Sequence, residues 1–114
     1  MSELRAFVHE ADLDLVRGTD ERAPGGAVTV ALCGHWEHDG RCRWPHNNAI
    51  SVEEARARFR TLFVAPPDEE DEVRARIEQG LAATDQWRVV ATRARPVAPD
   101  EDDLAGRLLR YGAG

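Results

Sequence analysis

Apolar and polar residues alternate with a period of two through much of this chain, a pattern that predicts β-strands. The clearest case places Val28, Val30 and Leu32 on one face and smaller or polar side chains on the other. Two later segments and a mixed N-terminal segment show the same alternation. The strands predicted in this way cover residues 4–16, 27–36, 57–64 and 87–97.

A period of about 3.6 residues predicts two helices. Val73, Ile77 and Leu81 recur at four-residue spacing, and acidic residues precede them where the helix dipole favours negative charge. This pattern predicts a helix over residues 67–83. A shorter pattern of the same kind, in which an acidic start is followed by leucines at helical spacing, predicts a final helix over residues 100–110.

The order of these elements predicts the fold class α+β. We expect a single mixed or antiparallel sheet of four to five strands, with two helices packed mainly on one face. The strand–helix–strand unit at residues 57–97 predicts two parallel strands joined by a right-handed crossover. Ser51 and Glu54 form a capping-box pattern, which predicts a short helix from Val52. The length of 114 residues suits a single domain over 1–114.

Composition and charge narrow the classes of function. The formal net charge is −6, and all 15 basic residues are arginine. Nucleic acid is disfavoured as a partner, because a nucleic-acid binder normally needs a basic field. No apolar run reaches the roughly 18–20 residues of a membrane span, and the N-terminus has no signal-peptide pattern. We therefore expect a soluble protein with a cytoplasmic location and no membrane partner.

The segment from Cys33 to His46, called the Cys/His segment below, contains both cysteines and three of the four histidines. Asp39 and Gly40 within it predict a tight hairpin turn, because both residue types tolerate positive φ. The return strand predicted after the turn covers residues 41–44. The sequence therefore predicts a Cys/His-rich β-hairpin.

In that hairpin, Cys33, His35 and His46 share one strand face, where opposite Cβ atoms lie about 5 Å apart. A thiolate and two imidazoles at such distances suit tetrahedral Zn²⁺, with Cys42 or His38 as the fourth ligand. The same register holds the two cysteines roughly 13 Å apart, too far for a disulfide. A longer loop would instead bring them together, either for a Cys2His2 site or as an oxidised bridge.

Three functions from different classes fit these observations. The first is zinc binding through the Cys/His segment; an open coordination position would allow hydrolysis, so enzymatic activity stays undecided. The second is a non-enzymatic protein-interaction or homo-oligomerisation module that uses the Trp and Arg side chains of the sheet. The third is a thiol-based enzyme with Cys33 or Cys42 as nucleophile. A hairpin of ordinary, partly buried polar side chains competes with all three.

Arginines at alternate positions also predict charged rows on two strands. If those strands are neighbours, the rows line a surface for a carboxylate, a phosphate or an acidic partner. The competing interpretation is a solvated sheet face on which the arginines pair with the abundant Asp and Glu. The rows are Arg56, Arg58 and Arg60 on one strand and Arg93 and Arg95 on another. His9 stands apart and is predicted to be a surface or edge residue.

Overall fold

A computed structural model describes residues 3–33 and 43–113 of the chain. Its strands are β1 (Arg5–Leu15), β2 (His46–Glu53), β3 (Arg56–Ala65) and β4 (Trp87–Arg95). The α-helices of these described residues are α1 (Ala23–Cys33), α2 (Glu70–Ala82) and α3 (Asp102–Ala113). Short 3₁₀ turns, Pro67–Glu69 and Pro99–Glu101, lead into α2 and α3. The predicted strands at 4–16, 57–64 and 87–97 and the predicted helices at 67–83 and 100–110 are confirmed.

The four strands form one antiparallel sheet in the order β2-β3-β1-β4. The chain runs as two split β-α-β units, because β3 lies between β1 and β2, and β1 lies between β3 and β4. This is the ferredoxin-like connectivity, extended by α3. The predicted α+β class is confirmed, and the two strands within residues 57–97 run parallel as predicted, but they are not neighbours and the sheet is antiparallel. β3 and β4 run in the same direction, and β1 separates them and pairs antiparallel with both.

Helices α1 and α2 pack on one face of the sheet, called the covered face below. Alternate positions of β1 and β3 point to this face and form the main core with apolar residues of both helices. Fully burying one such side chain contributes about 1.5–3 kcal/mol. The sheet contributes Ala11, Leu13, Phe59 and Phe63, α1 contributes Val28 and Leu32, and α2 contributes Val73, Ile77 and Leu81.

Helix α3 packs against the other face of the sheet. It covers one end of that face, where Val8 and Leu62 contact Ala105 in a second, smaller core. The uncovered remainder, called the open face below, carries charged side chains of β1, β3 and β4. The prediction of two helices on one face is therefore corrected: α1 and α2 lie on the covered face, and a third helix lies opposite them.

The predicted strand at 27–36 is wrong for its described part, because residues up to Cys33 belong to α1. Val28 and Leu32 are buried, whereas Val30 between them is 43% exposed. The two buried positions, Val28 and Leu32, thus have the four-residue spacing of a helix. Residues four apart also share a face in a pattern of period two, so the alternation fits both structures. Packing against α2 overrides the β-propensity of the valines.

Close contact between the two helices depends on Gly80 in α2. A Cβ atom at this position would lie 3.0 Å from the Cβ of Ala31 and 3.2 Å from the carbonyl oxygen of Ala27, both in α1. Such distances are shorter than ordinary van der Waals contacts. Glycine therefore allows α1 to lie against α2 over the sheet.

The predicted helix from Val52 is also wrong, because β2 and β3 form a hairpin here. β2 continues to Glu53, which pairs with Arg56 and leaves a two-residue turn. Glu54, the first turn residue, adopts a positive φ of 57°. The capping-box pattern therefore lies across a β-turn. Here the backbone N–H and C=O groups are satisfied by pairing between β2 and β3, and not by the side chains of a helix end.

Candidate functional site

The structure describes two of the five predicted metal ligands. Cys33 ends α1 and His46 begins β2. Cys33 is disulfide-bonded. The predicted position of Cys33 on a strand face is wrong, because it lies in a helix. The other three predicted ligands, His35, His38 and Cys42, lie outside the described residues.

The ring of His46 is held by two hydrogen bonds. Its Nδ1 lies 3.0 Å from the carbonyl oxygen of Trp44, and its Nε2 lies 3.2 Å from Oγ1 of Thr29. A carbonyl oxygen only accepts, so Nδ1 donates and Nε2 accepts from the threonine hydroxyl. Thr29 precedes Cys33 by one helical turn. The same side of α1 therefore carries Cys33 and contacts the imidazole of His46.

Side-chain hydrogen bonds continue from this point across β2 to β3. Thr61 is fully buried and donates to Oδ1 of Asn48 at 2.8 Å. The amide of Asn48 donates to Oγ1 of Thr29 at 3.3 Å and to the carbonyl oxygen of Gly25 at 3.0 Å. Two consecutive asparagines are typical of a turn, but here Asn48 lies within β2. These bonds fix β2 against α1 by satisfying buried polar groups.

His9 lies on the covered face and not at the surface as predicted. It is 4% exposed, and its Nδ1 lies 3.1 Å from a guanidinium nitrogen of Arg74. Among the described residues its Nε2 has no hydrogen-bond partner, and it lies 3.7 Å from the carboxylate of Glu78. Burial, and then the charge of Arg74, lower the pKa of His9, while Glu78 acts to raise it. Imidazole in this position is therefore held neutral.

Charged side chains of three strands form a lattice on the open face. β1 contributes a central row of carboxylates, and β3 and β4 contribute an arginine row on either side. The predicted arginine rows are thus not adjacent; the carboxylates of β1 lie between them and pair with both, as the competing interpretation expected. The charged lattice consists of Glu10, Asp12, Asp14, Arg56, Arg58, Arg60, Arg88, Arg93 and Arg95.

Each carboxylate of the row contacts arginines from one or both neighbouring strands. Asp14 accepts hydrogen bonds from Arg88 at 3.0 Å and from Arg56 at 2.6 Å, and both bonds lower its pKa. Arg93 contacts Asp12 at 3.1 Å. A bond from Arg93 is likewise the main cause of the lowered pKa of Asp12. Carboxylates of this row therefore stay ionised.

Glu101 connects the lattice to the start of α3. Its carboxylate accepts a hydrogen bond from Arg95 at 2.8 Å and lies 2.7 Å from Nε of Arg60. It also accepts the backbone N–H of Ala98 at 3.0 Å. The bond from Arg95, with the smaller contributions of Ala98 and Arg60, lowers the pKa of Glu101 to about 2. Its side chain is only 11% exposed, as is that of Glu10, so these two carboxylates are the least solvated of the group.

Three arginines form an outer, solvent-facing layer above Asp12 and Asp14, whereas Arg60 and Arg95 are more buried, at 16% and 28% exposed. The side chains of Arg56, Arg58 and Arg88 are 62%, 66% and 78% exposed, whereas those of Asp12 and Asp14 are 22% and 34% exposed. A molecule that approaches the open face therefore meets guanidinium groups before carboxylates. This face differs in sign from the chain as a whole, whose net charge is −6.

Sequence reasoning identified the arginine rows but not the carboxylate row between them. The signal was present, because Asp12 and Asp14 alternate with Leu13 and Leu15. Alternation of this kind places the acidic side chains on one face of a strand. The alternation does not give the order of the strands, and it is this order that puts β1 between the two arginine strands.

Within the described ranges, no three His, Cys, Asp or Glu side chains lie together in a way that would hold a metal ion. None of the helices in this part of the chain is long and apolar enough to cross a membrane. A comparison with known protein families found no matching model, and comparisons with curated proteins and with solved structures found no match. The proposals below therefore depend on geometry and chemistry alone.

Proposed function

We propose that this protein is a non-enzymatic binding module that recognises an acidic partner protein through the open face of its sheet. The observation that carries the proposal is the group of three exposed arginines, Arg56, Arg58 and Arg88, above the less exposed carboxylates of Asp12 and Asp14. Guanidinium groups bind carboxylates with two parallel hydrogen bonds, which gives both affinity and orientation. A second copy of the chain is a poorer partner for this face, because its outer arginines would meet one another.

Arg88 shows how a paired arginine still offers donors to a partner. It contacts Asp14 through one terminal nitrogen, and its side chain is 78% exposed. A guanidinium has five N–H donors in a planar fork. Asp14 therefore uses only part of the fork, and the exposed remainder of the Arg88 guanidinium is available to a second carboxylate.

The test is a titration of the full chain with a polyglutamate peptide at low and at moderate salt. The double variant R58Q/R88Q should bind the peptide about tenfold more weakly, since removing one charge-assisted hydrogen bond costs about 1 kcal/mol or more. The control R17Q/R22Q carries the same change in net charge at exposed positions between β1 and α1. Equally weakened binding in the two double variants would show a response to net charge and would contradict the proposal.

Zinc binding through the Cys/His segment is a second proposal, confined to the reduced chain. It is favoured by one contact, which brings the Cys33 side of α1 to Nε2 of His46 through Thr29; zinc would replace the Thr29 hydroxyl at that nitrogen, while Nδ1 keeps its bond to the carbonyl of Trp44. A disulfide sulfur is not a thiolate ligand or nucleophile, so both zinc binding and thiol chemistry require reduction first. His35 and either Cys42 or His38 complete the proposed set of four ligands.

Elemental analysis of untagged protein, with and without prior reduction, tests the zinc proposal. We expect about one zinc per chain only after reduction, and its loss in C33S. A parallel titration of free thiols measures whether reduction was complete. Fully reduced protein without metal would eliminate the zinc proposal, and two slowly alkylated thiols would eliminate the thiol enzyme.

A further inference from the structure

Strand β4 forms one edge of the sheet. It pairs only with β1 in the order β2-β3-β1-β4, and it is nine residues long. Its outer backbone groups therefore have no strand partner within the described residues. A row of unpaired N–H and C=O groups is a template for another strand.

Charge alternates from strand to strand across the open face. Arginines on β3 are followed by carboxylates on β1 and then by arginines on β4. A strand added beside β4 would continue this alternation if it carried carboxylates. We propose that β4 binds an extended segment of a partner protein, with acidic residues at alternate positions, as a fifth strand. This inference rests on the proposed function and names the form that the acidic partner takes.

Spacing within a sheet supports this geometry. Neighbouring strands lie about 4.8 Å apart, and directly opposite side chains have Cβ atoms about 5 Å apart. Arg93 and Arg95 both point to the open face, where they are 36% and 28% exposed and pair with Glu10, Asp12 and Glu101 on the side of β1 and α3. Acidic residues at positions i and i+2 of an added strand would approach them from the opposite side. Pairing between β1 and β4 is irregular near Asp12, which separates Arg88 from the other two arginines. A third acidic residue would reach Arg88 from farther along the segment.

The arginines of β4 also restrict what else can pair with this edge. A second β4 would bring like charges together, so self-pairing is disfavoured, and a lysine-bearing strand would be repelled for the same reason. Val90 is 44% exposed on this strand and offers an apolar contact to the partner. No open-face position on the described strands is aromatic, so the face lacks the stacking platforms of single-strand nucleic-acid binders.

A set of matched peptides tests the proposal on the full chain. The parent peptide alternates Glu with Thr, and two twins carry N-methyl groups on every second amide, one twin for each edge of the peptide strand. An added strand uses only one edge for its hydrogen bonds. We expect one twin to bind at least about tenfold more weakly than the parent and the other to bind nearly as well. Hydrogen exchange should slow in β4 and not in β2 when the parent peptide binds.

A charge-swap pair adds a test of register. The variant R88E should lose affinity for the Glu peptide and regain it for a peptide with one Lys in place of Glu, whereas R22E should behave like the unmodified chain. If both twins bind equally well and R58Q/R88Q still weakens binding, the fifth-strand proposal is overturned and the proposed function stands. If no acidic peptide binds, both are overturned. Tighter binding of a single-stranded oligonucleotide than of the peptide would overturn the choice of partner.

Discussion

The two faces of the sheet are made by the same strands but are held together by different forces. On β3, Phe59 and Phe63 point to the covered face and are almost fully buried, while Arg58, the neighbour of Phe59, points to the open face and is exposed. Burial on the covered face stabilises in proportion to apolar area and does not depend on fine geometry. Ion pairs on the open face depend on geometry, charge state and salt.

This difference shows which face is available for function. Loss of an apolar side chain from the covered face leaves a cavity that the structure fills only partly. Exposed ion pairs contribute little to folding, with typical values of about 0–1 kcal/mol each. A lattice of many such pairs therefore adds modest stability and provides an ordered array of charges. Substitutions on the covered face should therefore change stability more than binding, and substitutions on the open face should change binding more than stability.

The largest effect is expected for Phe63→Ala on the covered face. Phe63 is fully buried and stacks on Phe7 with ring centroids 5.4 Å apart. Its truncation should lower the free energy of unfolding by about 3–5 kcal/mol, measured by urea denaturation. Val52→Ala, at an exposed position of β2, should change that free energy by no more than about 0.5 kcal/mol. Val52 also lies on the covered face, opposite Ala57, so similar small effects in both variants would show that burial on this face does not stabilise the fold.

Glu101→Gln should have the next largest effect, because it changes one of the two nearly buried carboxylates that pair with the lattice arginines. We expect a loss of about 2 kcal/mol at pH 7, because Arg60 and Arg95 lose a charged partner. The pKa of Glu101 is about 2 when folded, below its ordinary value of 4.5. Its stabilising contribution is therefore complete above pH 4.5 and is lost as the pH falls toward 2.

Denaturation of wild type and E101Q at pH 7 and near pH 2.5 tests both parts of this prediction. The difference between the two proteins should shrink at the lower pH. Glu53→Gln is the control, because Glu53 is an exposed residue at the end of β2 on the same face. A difference that stays constant with pH would show that the carboxylate charge is not what stabilises this region.

A smaller effect on stability is expected for His9, because burial on the covered face disfavours its protonated form. Its pKa is lowered in the folded state from the ordinary 6.5, so the unfolded chain takes up the proton first as the pH falls. Stability should be complete above pH 6.5 and decrease below it. His9→Gln should make the free energy of unfolding depend less on pH between pH 7.5 and 5.5, measured by denaturation. This change in slope is expected even if the substitution also alters the stability at pH 7.5. An unchanged slope would show that His9 does not contribute to it.

The smallest effect on stability is expected for Asp14→Asn, together with a clear effect on binding. Removal of this carboxylate frees Arg56 and Arg88 from an internal partner, so the melting temperature should change little and affinity for the acidic peptide should rise. Asp20→Asn is the matched control, since Asp20 pairs with Arg22 in an exposed loop. Weaker peptide binding by D14N would indicate that Asp14 is needed to orient the arginines.

Part of the candidate site followed from the sequence, and part did not. Alternation correctly placed Arg56, Arg58 and Arg60 on one strand face, because a side-chain period of two is a local property. The partners of these arginines were not predictable in the same way. Asp12 and Asp14 lie more than 40 residues earlier in the chain, and only strand pairing brings them together.

The sequence by itself determined the elements whose pattern is local and unambiguous. Val73, Ile77 and Leu81 after an acidic start correctly predicted a helix, and the alternation in β1 and β3 correctly predicted strands. Tertiary structure alone decided that the segment ending at Cys33 is a helix, that β1 separates β3 from β4, and that two rows of arginine share one row of carboxylates. The physical reason is that these outcomes depend on contacts between residues far apart in the chain, which outweigh local propensity.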